Sequence, residues 1–277
     1  MKIERISAFS YQNEGGNPAG VVICDAMPST EEMLKVANEV GYSETAFLHQ
    51  HNDGWRIRYF APEMEVPFCG HATIASGFAL GEQQGEGSYK LYLNDGSIDV
   101  SVEKMASHSL FISLNSPKTF SEPAPSQYVD SILGTFGFSH DDLDPHFPTY
   151  FASADAKHLI IVLKEHNRLE NMTYEFEVVK RLMAQEQLVT INLLWKASPS
   201  QFHSRNPFAA GGVYEDPATG AAAAAFAGYL RDIAWSGSTS FEVFQGEDMG
   251  SPSRLLVEYQ PEIGSSIKVS GEARRLS

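Results

Sequence analysis

Only two cysteines occur in 277 residues, Cys24 and Cys69. That excludes a disulfide framework and makes a reducing cytoplasm the default compartment. Basic residues are also scarce. Twenty Lys and Arg stand against 35 Asp and Glu, a formal net charge of -15, and no Lys/Arg cluster stands out. A nucleic-acid partner or an anionic membrane surface is therefore not expected. Long hydrophobic runs are missing too: the longest, Ala221 to Leu230, is too short to span a bilayer. Residues 1–7 carry charge where a signal peptide needs apolar side chains. No Gly-x-Ser-x-Gly elbow, Walker loop or Gly-x-Gly-x-x-Gly turn follows a strand. No two of the nine histidines stand at i, i+4 to make a metal pair with a carboxylate, so neither a metal nor a dinucleotide is expected.

What is present is a globular composition, 43% hydrophobic and 20% charged, long enough for one large or two ordinary domains and a sizeable core. Two stretches dominate. One runs from Arg58 through Pro62 and Glu65-Val66-Pro67-Phe68-Cys69-Gly70-His71 into Ala72-Thr73-Ile74-Ala75. Its echo is Glu215-Asp216-Pro217-Ala218-Thr219-Gly220-Ala221, which opens into Ala222-Ala223-Ala224-Ala225-Phe226. Each is a Gly-containing turn followed by a helix that is apolar all round, over about 71–80 and 221–230, and such helices are buried. A buried helix start turns unpaired N–H groups and the positive dipole end on whatever lies before it, which is a ready anion site.

Around these helices the pattern is mostly strands. Alternation or Val/Ile-rich runs predict strands over 3–9, 19–24, 44–49, 55–60, 88–93, 97–103 and 110–114. Ser29 to Glu32 is a capping box opening a helix that ends at Gly41. Residues 115–126, rich in Pro and Ser, read as an interdomain linker. Beyond it, helices are expected at 125–136 and 174–184. Strands are expected at 149–152, 158–163, 188–195, 201–205, 241–245, 254–259 and 267–270. The two halves therefore repeat one order of elements. The expectation is an α+β protein of two pseudo-symmetric domains, 1–118 and 119–277, with the last strand free to return to the first. Each is a curled, mostly antiparallel sheet or barrel around one apolar helix, and the ligand site falls in the cleft between the two helix starts.

Four residues could carry chemistry. Glu44 heads an apolar strand, where desolvation would raise its pKa and suit it to general acid/base work. His71 at a helix start is disfavoured as a cation and suits a neutral, hydrogen-bonding role. Asp216 reads either as a helix cap or as a second acid/base that orients a substrate. Cys69 sits where a thiolate is activated, but the second half offers no cysteine in return. A two-thiol mechanism thus lacks its partner, and Cys69 reads as structural.

Taken together, these motifs resemble the PhzF-like phenazine-biosynthesis family within the diaminopimelate epimerase-like fold. The matching pieces are Asn17-Pro18-Ala19-Gly20, Ser43-Glu44-Thr45-Ala46-Phe47, Arg58 to Pro62, Glu65 to Thr73, Asp216 to Gly220 and Gln245-Gly246. The resemblance implies two similar domains with the active site between them, commonly as a homodimer and without a cofactor. It gives the proton transfer to Glu44 and lines the substrate with Gly70, His71, Asp216, Thr219 and Gly220. His71 and Asp216 join Glu44 in the expected catalytic set, orienting the substrate or shuttling protons, and Asn17 and Ala221 join the expected substrate-binding set. Ala221 stands where the phenazine enzyme's pattern has Ser, and residues 250–253 lack an arginine expected after the glycine. The family predicts the fold well and the substrate badly. The resulting expectation is a cofactor-independent isomerase or epimerase acting on a small carboxylated metabolite. The alternatives are a non-catalytic acid-binding module on the same fold and a thiol-assisted racemase using Cys69.

Overall fold

The computed structural model describes residues 1–106 and 109–277, and the chain divides into two compact units. The first is Met1–Asn115 with Ser270–Ser277, the second Ser116–Val269.

The first unit runs β1 (Glu4–Ser10), β2 (Asn17–Ile23), α1 (Thr30–Val40), β3 (Thr45–His51), β4 (Gly54–Phe60), β5 (Glu65–Val66), α2 (Gly70–Gln84), β6 (Gly87–Tyr92), β7 (Ser97–Lys104) and β8 (Leu110–Asn115). The second runs β9 (Phe120–Pro123), α3 (Ser126–Thr135), β10 (Tyr150–Ala154), β11 (Ala156–Leu163), α4 (His166–Glu170), α5 (Phe176–Glu186), β12 (Thr190–Ser198), β13 (Gln201–Pro207), β14 (Glu215–Asp216), α6 (Gly220–Asp232), β15 (Ser240–Gln245) and β16 (Ser253–Glu258). The last strand, β17 (Lys268–Arg275), joins the first unit from Ser270 on, where Glu272–Arg275 pair antiparallel with β1.

The succession of pairings is the same in both units. In the first, β1 is antiparallel to β2, β2 parallel to β3, β3 antiparallel to β4, β4 parallel to β6 and β6 antiparallel to β7. In the second, β10 through β13, β15 and β16 follow that order. Parallel pairs need both faces covered, and the sequence supplies the apolar residues for it. In β2 and β3, Val22 and Phe47 pack under α1 with Met33, Ala37 and Phe60. Helix α2 packs against β1, β2, β7 and β8 within the same unit. In the second unit α3 and α5 cover Leu159, Ile161, Ile191 and Leu193. There α6 packs against β9, β10, β11 and β16.

Both apolar helices are buried as their composition demands, α2 from His71 to Gly81 and α6 from Ala222 to Arg231. Each is longer than its apolar run. The extra turn of α2, Glu82-Gln83-Gln84, is made of strong helix formers that need no burial to stay helical. The capping box at Ser29 and Glu32 forms as read.

Residues 115–126 are a structured segment rather than an open linker. β9 lies within them and pairs antiparallel with Tyr150–Ser153. Ser116 exchanges two hydrogen bonds with the backbone of Ile267. Prolines flank or end this edge strand, where a missing N–H is tolerated, and that composition mimicked a linker. The short helix α4 was also unforeseen. Among the described residues no helix is long and apolar enough to cross a membrane.

Candidate functional site

The strand that carries the carboxylate begins one residue later than expected. Glu44 precedes β3, and its carbonyl accepts the Gly20 N–H at 3.1 Å. Gly20 faces Thr45 across the parallel pair, and a Cβ there would lie 2.6 Å from Thr45 Oγ1. The Asn17–Gly20 motif thus lets β2 close up on β3 and fixes the start of β3. Asn17 is buried at the same end of β2, opposite Ala8.

Helix α2 is fixed by side chains behind it. Thr73 Oγ1 donates to the Cys69 carbonyl at 2.7 Å, so the Tyr59 hydroxyl donates to Thr73 Oγ1 at 2.6 Å. Burial holds the Tyr59 hydroxyl far above its ordinary range, and it stays protonated. The Arg58 guanidinium clamps Glu65 through two bonds of 2.8 and 2.5 Å. That clamp keeps the Glu65 carboxyl below the usual carboxylate range and ties the turn of β5 to β4.

The result is a compact acid–base cluster. Glu44 Oε2 lies 3.3 Å from His71 Nε2, and Ser43 Oγ lies 3.4 Å from the same nitrogen. Cys69 Sγ lies 3.4 Å from His71 Nδ1 and 3.9 Å from Nε2. His71 and Cys69 are buried, while the Glu44 side chain keeps 19% of its surface accessible. Cys69 is the N-cap of α2 and makes no side-chain cap bond. The Cβ position of Gly70 opens on free space. The N–H groups of Gly70, His71 and Ala72 therefore precede the first intrahelical bond, from the Thr73 N–H to the Cys69 carbonyl, receive no cap from the Cys69 side chain and sit beside a carboxylate, an imidazole and a thiol. A cavity of about 680 Å³ in this unit lies along the other end of α2, around Phe78, Gly81 and Glu82, away from this chemistry.

The second unit repeats the frame with other side chains. Glu215 faces Pro207 as Glu65 faces Phe60, and Arg205 grips Glu215 with bonds of 3.0 and 2.6 Å. Counting from the two helix-opening glycines, Pro217 matches Pro67, Thr219 matches Cys69, and Ala221 matches His71. Counting back from the matched pairs Phe47–Arg58 and Leu193–Arg205, Thr190 matches Glu44. The cysteine, histidine and glutamate of the first unit thus have non-ionising counterparts in the second. A two-thiol pair fails at a specific position, Thr219.

Asp216 is not the cap of α6. It accepts the Thr219 hydroxyl at 2.6 Å, and Thr219, the N-cap, makes no side-chain cap bond. Gln245 completes the group. Its amide donates to the Asp216 carbonyl at 2.7 Å and to Thr219 Oγ1 at 3.0 Å, while its Oε1 accepts the Thr219 N–H at 3.1 Å. The turn before Gly220 and Ala221 is held by these bonds. Gln245 and Ser43 both stand in the family motifs, but neither carries a sequence signal for these contacts. The structure gathers Glu44, Cys69, Gly70 and His71 in the first unit, and Asp216, Thr219, Gly220 and Ala221 in the second. Glu44, Cys69 and His71 each offer a donor atom within 4.8 Å of the others.

A carboxylate, an imidazole and a thiol set at the start of a buried helix suit proton transfer, and this chain is an isomerase. Its sequence matches the model of the phenazine biosynthesis-like protein family over residues 6–276, and the chain belongs to that family. An uncharacterized isomerase of Bacillus subtilis, YfhB, is 25% identical, with 97% of this chain and 94% of that protein aligned. The crystal structure of a PhzF-family protein of Bacillus anthracis has a TM-score of 0.86 at 24% identity, covering 100% of this chain and 98% of that one. A hydroxyproline epimerase of Agrobacterium vitis, solved with trans-4-hydroxy-L-proline, shares the fold at a TM-score of 0.67 and 9% identity, over 99% of this chain and 90% of that one. These likenesses bear out the diaminopimelate epimerase-like fold.

Proposed function

We propose that this isomerase moves a proton on a small carboxylated metabolite, with Glu44 as the general acid/base. The observation that carries the reading is Glu44 Oε2 held 3.3 Å from His71 Nε2 beside an uncapped helix start. The substrate carboxylate takes the N–H groups of Gly70 and His71, which suit an anion and the enolate-like charge that develops next to it. Glu44 removes a proton from the adjacent carbon and returns it elsewhere on the same molecule. His71 hydrogen-bonds the carboxylate of Glu44 and keeps it aimed. In the second unit Asp216, fixed by Thr219 and Gln245, is the carboxylate beside the other buried helix start, and Ala221 brings no side-chain donor where the phenazine enzyme's pattern has a hydroxyl.

A thiol-assisted variant is favoured by one observation, the 3.4 Å between Cys69 Sγ and His71 Nδ1. In it Cys69 delivers the second proton. Turnover of Cys69→Ala at the native rate would remove this variant.

The test is solvent-proton exchange. The protein is incubated in D₂O with a panel of amino, hydroxy and cyclohexadiene carboxylic acids, and each is followed by NMR beside Glu44→Gln. A positioned acid/base contributes about 10²–10⁴ in rate, so the variant loses at least that while still binding the acid. Exchange that survives in Glu44→Gln refutes the assignment. Acids that bind the native protein without any exchange favour the binding module instead.

A further inference from the structure

The turn before α6 is held by polar side chains that the matching turn of the first unit does without. Counting back from Gly220 and Gly70, Asp216 matches Val66 and Thr219 matches Cys69. Arg205 matches Arg58 as the clamp on the turn, so His203 and Ser204 match Arg56 and Ile57. Across the parallel pairs His203 faces Phe244 and Ser204 faces Gln245, while Arg56 faces Tyr92. Gln245 therefore matches Leu93. One frame closes around Val66, Cys69 and Leu93 in the first unit and around Asp216, Thr219 and Gln245 in the second. It closes without a carboxylate or an amide in the first, so folding alone does not call for them. Gln245 is nonetheless buried, 1% exposed, and the end of β15 is pressed onto the turn: a Cβ on Gly246 would lie 2.7 Å from the Pro217 carbonyl oxygen.

The backbone fixes the direction of these bonds. The Thr219 N–H can only donate and the Asp216 carbonyl can only accept. The Gln245 amide must therefore set Oε1 on the first, at 3.1 Å, and Nε2 on the second, at 2.7 Å. The other Nε2 hydrogen goes to Thr219 Oγ1 at 3.0 Å. Among the described residues the one hydrogen of the Thr219 hydroxyl then has no acceptor but Asp216 Oδ2, 2.6 Å away. We propose that Gln245 is a positioning residue of the isomerase: it aims the Thr219 hydroxyl at Asp216 and so holds Asp216 as an ionised acceptor. A bond donated to the charged form of a carboxyl favours that form. A proton on Oδ2 would force the Thr219 hydrogen away from its partner, a loss that a half-buried group feels in full. Asp216 accordingly accepts hydrogen bonds or protons in the site and does not act as an acid. Its place in the catalytic set rests on the proposed function; the direction of the bonds does not.

The test reads Asp216 directly and needs no substrate. The full-length protein is made with aspartate isotopically labelled at the side-chain carboxyl, and Asp216→Asn identifies the Asp216 signal in the carbon NMR spectrum. The signal is followed from neutral pH downward over the range in which circular dichroism shows each protein folded. A hydrogen bond to a charged group, at about 1.5–3 kcal/mol, corresponds to about 1–2 pH units. Thr219→Val should therefore raise the titration midpoint of Asp216 by about 1–2 units. Gln245→Leu, which installs the residue of the first unit, should raise it by about half a unit or more. Because Gln245 acts through Thr219, adding Gln245→Leu to Thr219→Val should move the midpoint no further. Gln245→Met, unbranched and without a donor, takes the place of Gln245→Leu if the latter does not fold. A midpoint unmoved in the folded Gln245 variant overturns the proposal. So does an equal movement when the Thr219 hydroxyl is already gone. Neither result bears on Glu44, whose assignment is decided by proton exchange.

Discussion

Protonation of one buried histidine should dominate the acid sensitivity of the second unit. His158 is fully buried on β11. Thr190 Oγ1 donates to Asn206 Oδ1 at 3.0 Å, so it can only accept from His158 Nδ1–H, 2.8 Å away. The chain continues without a break in direction: Asn206 to Ser204 at 2.9 Å, Ser204 to Asn192 at 2.9 Å, and Asn192 to the Ala222 carbonyl at 3.4 Å. It thereby fastens β11, β12 and β13 to the first turn of α6. The other ring nitrogen of His158 has no hydrogen-bond partner. A proton there would be a buried, unpaired charge, and burial lowers the pKa from 6.5 to about 3.

The sign and size follow. Between pH 6.5 and about 3 the unfolded chain holds a proton that the folded chain refuses, so stability falls as the pH falls through 6.5. At pH 4.5 the unfolded imidazole is about 99% protonated and the folded one almost none. At about 1.36 kcal/mol per unit, going from pH 7 to pH 4.5 should remove about 2.5 kcal/mol through this group. For a unit of this size that is a drop of about 5–10 °C in Tm. Urea unfolding at the two pH values, followed by the fluorescence of Trp195 and Trp235, measures it. His158→Gln keeps a donor for Thr190 and does not titrate. It is less stable at pH 7, but its loss between pH 7 and 4.5 should be smaller than the native loss by about that 2.5 kcal/mol. Contributions from carboxylates are common to both proteins and cancel. Equal losses in the two proteins would refute the assignment of the buried, neutral ring.

The two arginine clamps should differ in strength. Arg205 and Glu215 keep 10% and 3% of their side chains accessible, against 19% and 24% for Arg58 and Glu65. Glu215→Gln leaves the buried guanidinium only the Asp248 carboxylate, 3.8 Å away, and should cost about 3 kcal/mol, whereas Glu65→Gln should cost about 1 or less; equal costs in chemical denaturation would contradict this. Gly228→Ala on α6 would set a Cβ 2.6 Å from that of Thr119, whose hydroxyl is held by Arg231 and donates to Ser265. That overpacking should cost about 1–3 kcal/mol in urea unfolding, and a variant as stable as the native protein would show that β9 can yield. Glu44→Gln, in contrast, should leave the unfolding midpoint nearly unchanged while abolishing proton exchange.

How much of this was readable beforehand differs by element. The two buried helices were legible because an all-round apolar run has one stable environment. So were the hairpin strands, whose turn signals are local. The Pro-rich segment around β9 was misread, since edge strands tolerate the same residues that linkers favour. Asp216 looked like a cap because acids are common there, and only the direction of the Thr219 hydroxyl showed otherwise. Gln245 and Ser43 carried no signal of their own. Their roles are contacts with residues far away or around a turn, which periodicity does not record.

By itself the sequence determined the class of fold, the doubling of the chain into repeated halves and the short roster of ionisable residues beside the glycine turns. Those follow from local rules: hydrophobic period, turn chemistry and residue type. The tertiary structure decided the rest. It brought Glu44 across from β3 to within 3.3 Å of His71. It also drew Cys69 into the same cluster. The physical reason is that register, not composition, fixes which side chains converge. A single residue of slippage in β3 would turn Glu44 to the other face of its sheet and leave the same sequence without a site.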